Sequence, residues 1–492
     1  MTSLNGVGTT RGGHPAAPPP FRVSAARRET QIAFWAGVGS LLLYAVVRHL
    51  AQVSMIDIVV YRAEGSAVAH GLNLYNLRVT VWGLPATYPP FAALLFTPTA
   101  SVPIGVLRPI VTCGNLLLLG VFGRLSAVLV GWPRPALRPA LVCLSVGLGV
   151  WLEPVFTTLR YGQINLLIGV LVLYDLTRPD GSRSKGAALG LAAAIKITPG
   201  LFIVYLLLSG RTRAAVNAGL TCLGTMVLGA VALPRASMEF WTADLYQTAR
   251  VGKEFIVDNQ SMRGMVDRAL RTTHAGVSVL LLSAVVAALG LGIAVGIHRA
   301  AAEGFPHARA WSVLSCAITA LLISPISWTH HWVWCVPVIV LLLAEAAEAR
   351  GRCRRRWRAV AAATGAAFCS FAMWLVPHKG LSNLRIPYVL QPMAALYPLV
   401  GLAFLALAGE RLRRHRNRCR GRACRRRRWQ WQLLRMRWRA PHARSVSGQE
   451  RGQRSVQVES PLLLAGRDEL QRPFEPGRER PGRPFEQGVS CR

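Results

Sequence analysis

Ser54–Tyr75 reads SMIDIVVYRAEGSAVAHGLNLY and follows directly on the first long apolar run of the chain. It sets one carboxylate, Asp57, at the exit of a hydrophobic segment, with Tyr61, Arg62 and Glu64 close behind. Taken alone, a carboxylate there is either a solvated flank of a membrane helix or a reactive group in a boundary pocket. What decides is where the other polar islands of the chain fall, and that depends on the fold.

Outward from this stretch, apolar runs of about twenty residues recur, the length a helix needs to cross a bilayer. The 492-residue chain is 52% hydrophobic and 16% charged, with a mean hydropathy of +0.34. A soluble multidomain chain is excluded, and the fold class is an all-α polytopic membrane protein. The net charge of +35 could point to nucleic acid. Its arginines, however, sit in short loops between apolar runs and after Glu410, which is how a membrane protein distributes charge. No nucleic-acid partner is expected, and the lipid bilayer is. The cysteines lie in apolar runs or basic segments, so no disulfide framework is implied.

Residues 1–30 read as a disordered cytoplasmic arm without a signal-peptide pattern, 31–409 as the membrane domain, and 410–492 as an Arg-rich disordered cytoplasmic tail. Crossings are expected at Gln31–Met55, Leu107–Val130, Leu137–Thr158, Tyr161–Thr177, Ala214–Leu233, Val277–Ile297, Trp311–Ser324, Val333–Leu343, Val360–Leu375 and Val389–Leu407. That is about ten full spans for the membrane domain. Ile56–Val106 and Pro234–His274 become large outer loops, with Phe91–Thr97 too short to cross. Ala187–Leu208 has cytoplasmic arginines after it and Lys196-Ile197-Thr198-Pro199 in its middle. Proline ends one helix and starts another, so the segment reads as a broken helical hairpin with its tip outward. The arginines of Arg350–Arg358 and of the tail hold the inner side.

With that topology six polar sets face outward. They are Asp57/Tyr61/Arg62, Tyr88-Pro89-Pro90, Tyr161-Gly162-Gln163-Ile164-Asn165, Lys196–Pro199, Asp258-Asn259-Gln260-Ser261 with Arg263, and Ser324–Trp332. Each has a bland reading as a helix cap or interfacial belt, but polar residues within a membrane protein are costly unless they serve something, and six on one face suggest a shared site. Asp57 can take a proton from an acceptor hydroxyl. Arg62, Lys196 or Arg263 can stabilise a departing phosphate. Asn259, Gln260 and Gln163 offer paired donors and acceptors for sugar hydroxyls, and Tyr and Trp faces suit a sugar or lipid chain. No D-x-D occurs, and the adjacent His330 and His331 are poor joint ligands, so neither metal nor cofactor is expected. One of the two histidines suits a proton partner or hydrogen-bond donor.

Asp57-Ile58-Val59-Val60-Tyr61-Arg62, Thr87-Tyr88-Pro89-Pro90, Gly162-Gln163-Ile164-Asn165, Lys196-Ile197-Thr198-Pro199, Asn259-Gln260-Ser261 and Ser327-Trp328-Thr329-His330-His331-Trp332 resemble, in order, glycosyltransferase family 87. These are the actinobacterial polyprenol-phosphate-mannose-dependent α-1,2-mannosyltransferases of multi-span GT-C fold. The resemblance covers about residues 30–410. It implies inverting transfer of mannose from a polyprenyl-phosphate-mannose donor to a glycolipid acceptor, a lipid-linked mannan or phosphatidylinositol mannoside. It also implies Asp57 as base, a histidine at the site, matching His330 or His331, and a periplasmic active site in the plasma membrane. The alternatives are a transferase of another sugar such as arabinose, or a polyprenyl-linked sugar transporter, which would show paired broken helices in its two halves.

Overall fold

Runs of Leu, Val and Ala flanked by Pro, Gly and Arg fold as helices because a bilayer leaves backbone polar groups no partner but the helix itself. The structure, a computed structural model, describes residues 20–51, 53–273 and 275–439, with side chains from residue 25 to 420 within these. The helices are α1 (Pro20–Leu50), α2 (Ile56–Ala69), α3 (Pro90–Ala100), α4 (Ile104–Val130), α5 (Arg138–Gly149), α6 (Glu153–Tyr161) and α7 (Asn165–Thr177). They continue as α8 (Ala187–Ile195), α9 (Gly200–Leu208), α10 (Thr212–Ala232), α11 (Pro234–Thr242), α12 (Thr248–Val251) and α13 (Met262–Leu270). Last come α14 (Gly276–Ala300), α15 (Ala308–Ile323), α16 (Cys335–Glu348), α17 (Gly351–Cys369), α18 (Gln391–Ala394) and α19 (Leu396–Arg439). Extended pairing among the described residues is limited to two isolated bridges, Val79 with Leu84 and Asn259 with Trp328.

By length and apolar composition, five helices among the described residues can cross a membrane, and up to seven if each of two bent pairs counts as one. One bent pair is α5 with α6, turned by 72° between Gly149 and Glu153, where Pro154 opens the second helix. The expected Leu137–Thr158 crossing is therefore two pieces. α7 and α15 are apolar but shorter. α15 is buried on nearly every side and forms the centre of the core, whereas α10 and α14 expose Leu220, Val231, Leu280 and Leu289 where lipid would lie.

Several boundaries move. α1 ends at Leu50, and Met55, expected to close the first span, is buried in a left-handed turn that opens α2. Phe91–Thr97 belongs to α3, packed on α2. The basic Arg350–Arg358 is the first half of α17 rather than a loop. α1 starts at Pro20, inside the expected arm, and α19 continues past Glu410. Cys353 is disulfide-bonded, which the sequence reading did not anticipate. The arm up to residue 19 and the tail from residue 440 lie outside the described residues.

The broken segment is a hairpin. α8 packs along the first half of α10, and α9 leads straight into the start of that helix, so both open ends of the hairpin lie together. Gly186 makes this possible: its φ is +101°, and a Cβ there would stand 2.0 Å from the Ala214 carbonyl oxygen. Each arm has nine residues, about 13 Å at 1.5 Å per residue. The tip thus reaches about half of a ~30 Å hydrocarbon layer, and the hairpin is re-entrant. Its start is capped by Asp175 in the last turn of α7, whose carboxylate accepts from the backbone N–H groups of Gly186 (2.8 Å), Ala188 (3.1 Å) and Leu189 (3.3 Å). Asp175→Ala leaves these donors without that acceptor and is expected to lower stability by about 1–3 kcal/mol. A thermal melt of the detergent-solubilised protein reads this, and an unchanged melt would show that the cap contributes nothing.

Candidate active site

α2 carries Asp57, Tyr61 and Glu64 at spacings of four and three, so all three share one face. α6 ends at Gly162 in the left-handed region (φ +74°), close enough to α2 that a Cβ would stand 3.0–3.1 Å from Met55 and Ile58. The reversal there lays Gln163 beside Asp57. Gln163 Nε2 donates to Asp57 Oδ2 at 2.6 Å, and its Oε1 accepts from Tyr61 (2.8 Å) and Tyr88 (3.3 Å). The two tyrosine hydroxyls are 2.9 Å apart, and Phe96 stacks on Tyr61 with centroids 4.4 Å apart. One amide thus orients a carboxylate and two phenols. Burial pushes the Asp57 carboxyl up to about 6, opposed by the Gln163 hydrogen bond.

The hairpin tip brings Lys196 to the same place. Its Nζ lies 3.2 Å from Asn165 Oδ1, 2.8 Å from His331 Nε2 and 5.8 Å from the Tyr88 ring centroid. Asn165 Nδ2 and Thr158 Oγ1 both donate to the His330 carbonyl, at 3.1 and 3.2 Å. They hold the turn Thr329–Trp334 so that both histidines sit at the cluster, their rings 4.9 Å apart. Tyr161 packs edge-on against His330 at 5.7 Å. Asn165, Lys196 and His331 form the polar end of a cleft whose other walls are mainly apolar, among them Ile168, Phe202, Leu321 and Trp334. The arrangement can hold an anion with an apolar appendage beside a carboxylate.

Of the residues singled out from sequence, the structure brings together Asp57, Tyr61, Tyr88, Tyr161, Gln163, Asn165, Lys196, His330 and His331. Arg62 is turned away: its guanidinium donates to the carbonyls of Val102 (3.0 Å) and Ala100 (3.2 Å), tying α2 to the end of α3. Arg263 pairs with Glu254 and lies 3.9 Å from Asp267. Asn259 and Gln260 do not offer their amides to a sugar. Asn259 donates to the carbonyls of Glu254 and Pro325 and accepts from the Ser261 and Ser327 N–H groups. Gln260 donates to the Val257 and Ala394 carbonyls, both at 2.7 Å, and accepts from Tyr397 N–H at 3.1 Å. These two amides join the outer loop to the histidine turn and to α18.

Two groups went unread, and a third, Glu64, was noted beside Asp57 without a role. Arg268, fully buried, donates to the carbonyls of Ile256, Asn259 and Ala394 and completes that junction. Glu153 accepts from Thr157, Tyr397 and Trp374 below the bend of α5 and α6. Glu64 is fully buried, and burial pushes its carboxyl up to about 8. It is therefore mainly neutral at pH 7, which leaves Asp57 as the anion of the α2 face. The spacing of Glu64 from Asp57 along a helix was the available signal. Gln260→Ala takes away the side-chain partner of the Tyr397 N–H and the Val257 carbonyl and leaves the Ala394 carbonyl to Arg268, and is expected to cost about 2 kcal/mol. The fall should be visible in melts recorded without substrate; an unchanged melt with a selective rise in KM would return the residue to a binding role.

Residues 86–325 match the family described as Glycosyltransferase family 87. A polyprenol-phosphate-mannose-dependent alpha-(1-2)-phosphatidylinositol mannoside mannosyltransferase of Mycobacterium tuberculosis is 31% identical over 341 residues, covering 64% of this chain and 77% of the relative. A polyprenol-phosphate-mannose-dependent alpha-(1-2)-phosphatidylinositol pentamannoside mannosyltransferase of Mycolicibacterium smegmatis is 30% identical over 348 residues, covering 69% of this chain and 82% of the relative. No solved structure matches the chain significantly. With a family match over residues 86–325 and relatives of 30–31% identity covered over 77–82% of their length, the chain belongs to glycosyltransferase family 87 and is a membrane hexosyltransferase.

Proposed function

We propose that the protein transfers mannose from a polyprenyl-phosphate-mannose to a phosphatidylinositol mannoside in α-1,2 linkage, with inversion, at the extracytoplasmic face of the plasma membrane. The donor and acceptor are those named for its relatives. The observation that carries the mechanism is that one turn, Gln163–Asn165, holds both Asp57, through Gln163, and Lys196, through Asn165, with Lys196 lining the cleft. Asp57 is the base that takes the acceptor hydroxyl's proton, and its raised carboxyl suits that task better than an ordinary one. Lys196 faces the leaving phosphate; Arg62 and Arg263, the other cations considered, are engaged elsewhere. His331 holds the lysine, His330 and Tyr161 form a ring wall for the sugar, and the apolar end of the cleft suits isoprene units. Direct attack by the acceptor on the face opposite the phosphate gives inversion without a covalent intermediate.

Asp57→Asn keeps size and hydrogen bonding but removes basicity, so transfer should fall by about a hundredfold or more while donor binding survives. In the unmodified protein, kcat/KM should fall about tenfold per pH unit below about 6, as Asp57 is protonated. Near-wild-type transfer by a correctly inserted Asp57→Asn protein would remove Asp57 from the role of base.

The face of the membrane follows from charge placement. Single cysteines at the exposed Val81 and Lys379, in a cysteine-free background, should react with an impermeant thiol reagent in intact cells, and one at Arg352 should not. The reverse labelling pattern would put the cleft on the cytoplasmic side.

A further inference from the structure

Lys196 Nζ and His331 Nε2 stand 2.8 Å apart, so one of the two nitrogens must accept. The backbone N–H of Trp328 donates to His331 Nδ1 at 3.2 Å, so Nδ1 carries no proton. The ring is then neutral, with its proton on Nε2, pointing at the lysine. An ammonium has three donors and no lone pair and cannot accept there. A neutral amine can, and it still has an N–H for Asn165 Oδ1 at 3.2 Å. Asn165 cannot be reversed to relieve this, because its Nδ2 donates to the His330 carbonyl. The directions of four hydrogen bonds therefore make Lys196 an amine in this arrangement. The groups facing it from neighbouring elements are Asp57 on α2, the Tyr88 ring before α3, Asn165 on α7, and the two histidines.

We propose that binding of the anionic donor is coupled to uptake of one proton from solvent, which converts Lys196 from amine to ammonium against the phosphate. This rests on the donor assignment above. A polyprenyl phosphosugar is a phosphodiester with one negative charge and no proton to give near neutral pH, so the proton comes from water. The amine lone pair takes it, the contact from His331 Nε2–H breaks, and the ammonium turns its donors to the phosphate oxygens and Asn165. In the transfer, the bond from the anomeric carbon to the phosphate oxygen breaks and the bond to the acceptor oxygen forms. The acceptor's proton goes to Asp57, and the electron pair stays on the phosphate, whose second negative charge develops beside the ammonium. Return of both protons to solvent on product release resets the site. Before the donor arrives, the amine spares the cleft an unpaired buried cation.

The test is calorimetry of donor binding to the full chain in detergent, with a short-chain polyprenyl-phosphate-mannose and no acceptor, at pH 8 in two buffers of different ionisation enthalpy. The wild type should take up about one proton per donor bound. Lys196→Arg, whose guanidinium stays charged, should bind with uptake near zero. Glu64→Gln should keep the wild-type value, which separates Lys196 from the other group titrating near this pH. Donor affinity of the wild type should also weaken toward about tenfold per unit as pH rises beyond neutrality, a slope that needs no variant to fold. Donor binding with no proton uptake, or uptake that persists in Lys196→Arg, overturns the coupling and leaves the donor assignment standing. Failure of the donor to bind at all overturns both.

Discussion

A helix broken at membrane depth has to find its hydrogen bonds inside the protein, because lipid supplies none. The Lys196–Pro199 break is where this chain meets that constraint, and much of the site's architecture answers it. Asp175 caps the entry of the hairpin, Gly186 lets it lie against α10, and Asn165 and His331 meet the lysine at its tip. Asn165 and His331, which meet the lysine at the tip, also border the cleft. Structural need and candidate chemistry therefore coincide at Lys196.

Charge is handled in the cluster by position rather than by abundance. The chain carries many arginines, yet three that the motifs and the loop bring near the cluster lie on backbone carbonyls or carboxylates: Arg62 on α3, Arg268 on the loop and α18, Arg263 on Glu254. Each fixes a segment of the wall and takes no part in the cleft's field. On α2, Glu64 is pushed toward its neutral form while Asp57 stays the better anion at pH 7. Apart from the buried Glu64, Asp57 and the Lys196 nitrogen are then the groups whose charge can change near neutral pH at the cluster. A site that moves one proton from an acceptor and stabilises one leaving phosphate needs a pair of this kind.

The outer loop shows how polar residues can look like binding groups and be framework. Asn259, Gln260 and Arg268 together bind carbonyls and N–H groups from four segments, and the short pairing of Asn259 with Trp328 fastens the histidine turn to that loop. These hydrogen bonds help to set where the two histidines sit. Any loss of activity on changing these amides would pass through the position of His331.

Much was legible in the sequence because it depends on local composition. Twenty-residue apolar runs make helices, arginine placement suggests their orientation, and Lys196–Pro199 within an apolar run predicts a hairpin break. Six ordered motifs also indicated a shared site, and nine of its thirteen candidate residues do converge. What sequence could not tell is which partner each polar group takes. An Arg62 one residue from Tyr61 points to the opposite side of α2, and whether it meets substrate or a carbonyl of α3 depends on what packs there. Asn259 and Gln163 are both amides in loop motifs; one is used up by backbone groups and the other faces a carboxylate. The bend between α5 and α6, the cap from Asp175 and the neutral state of Lys196 likewise arise from contacts between residues far apart in the chain. Periodicity and composition determine elements, because helix formation in lipid is local. Hydrogen-bond direction and protonation are set by neighbours in space, and only the tertiary structure supplies those.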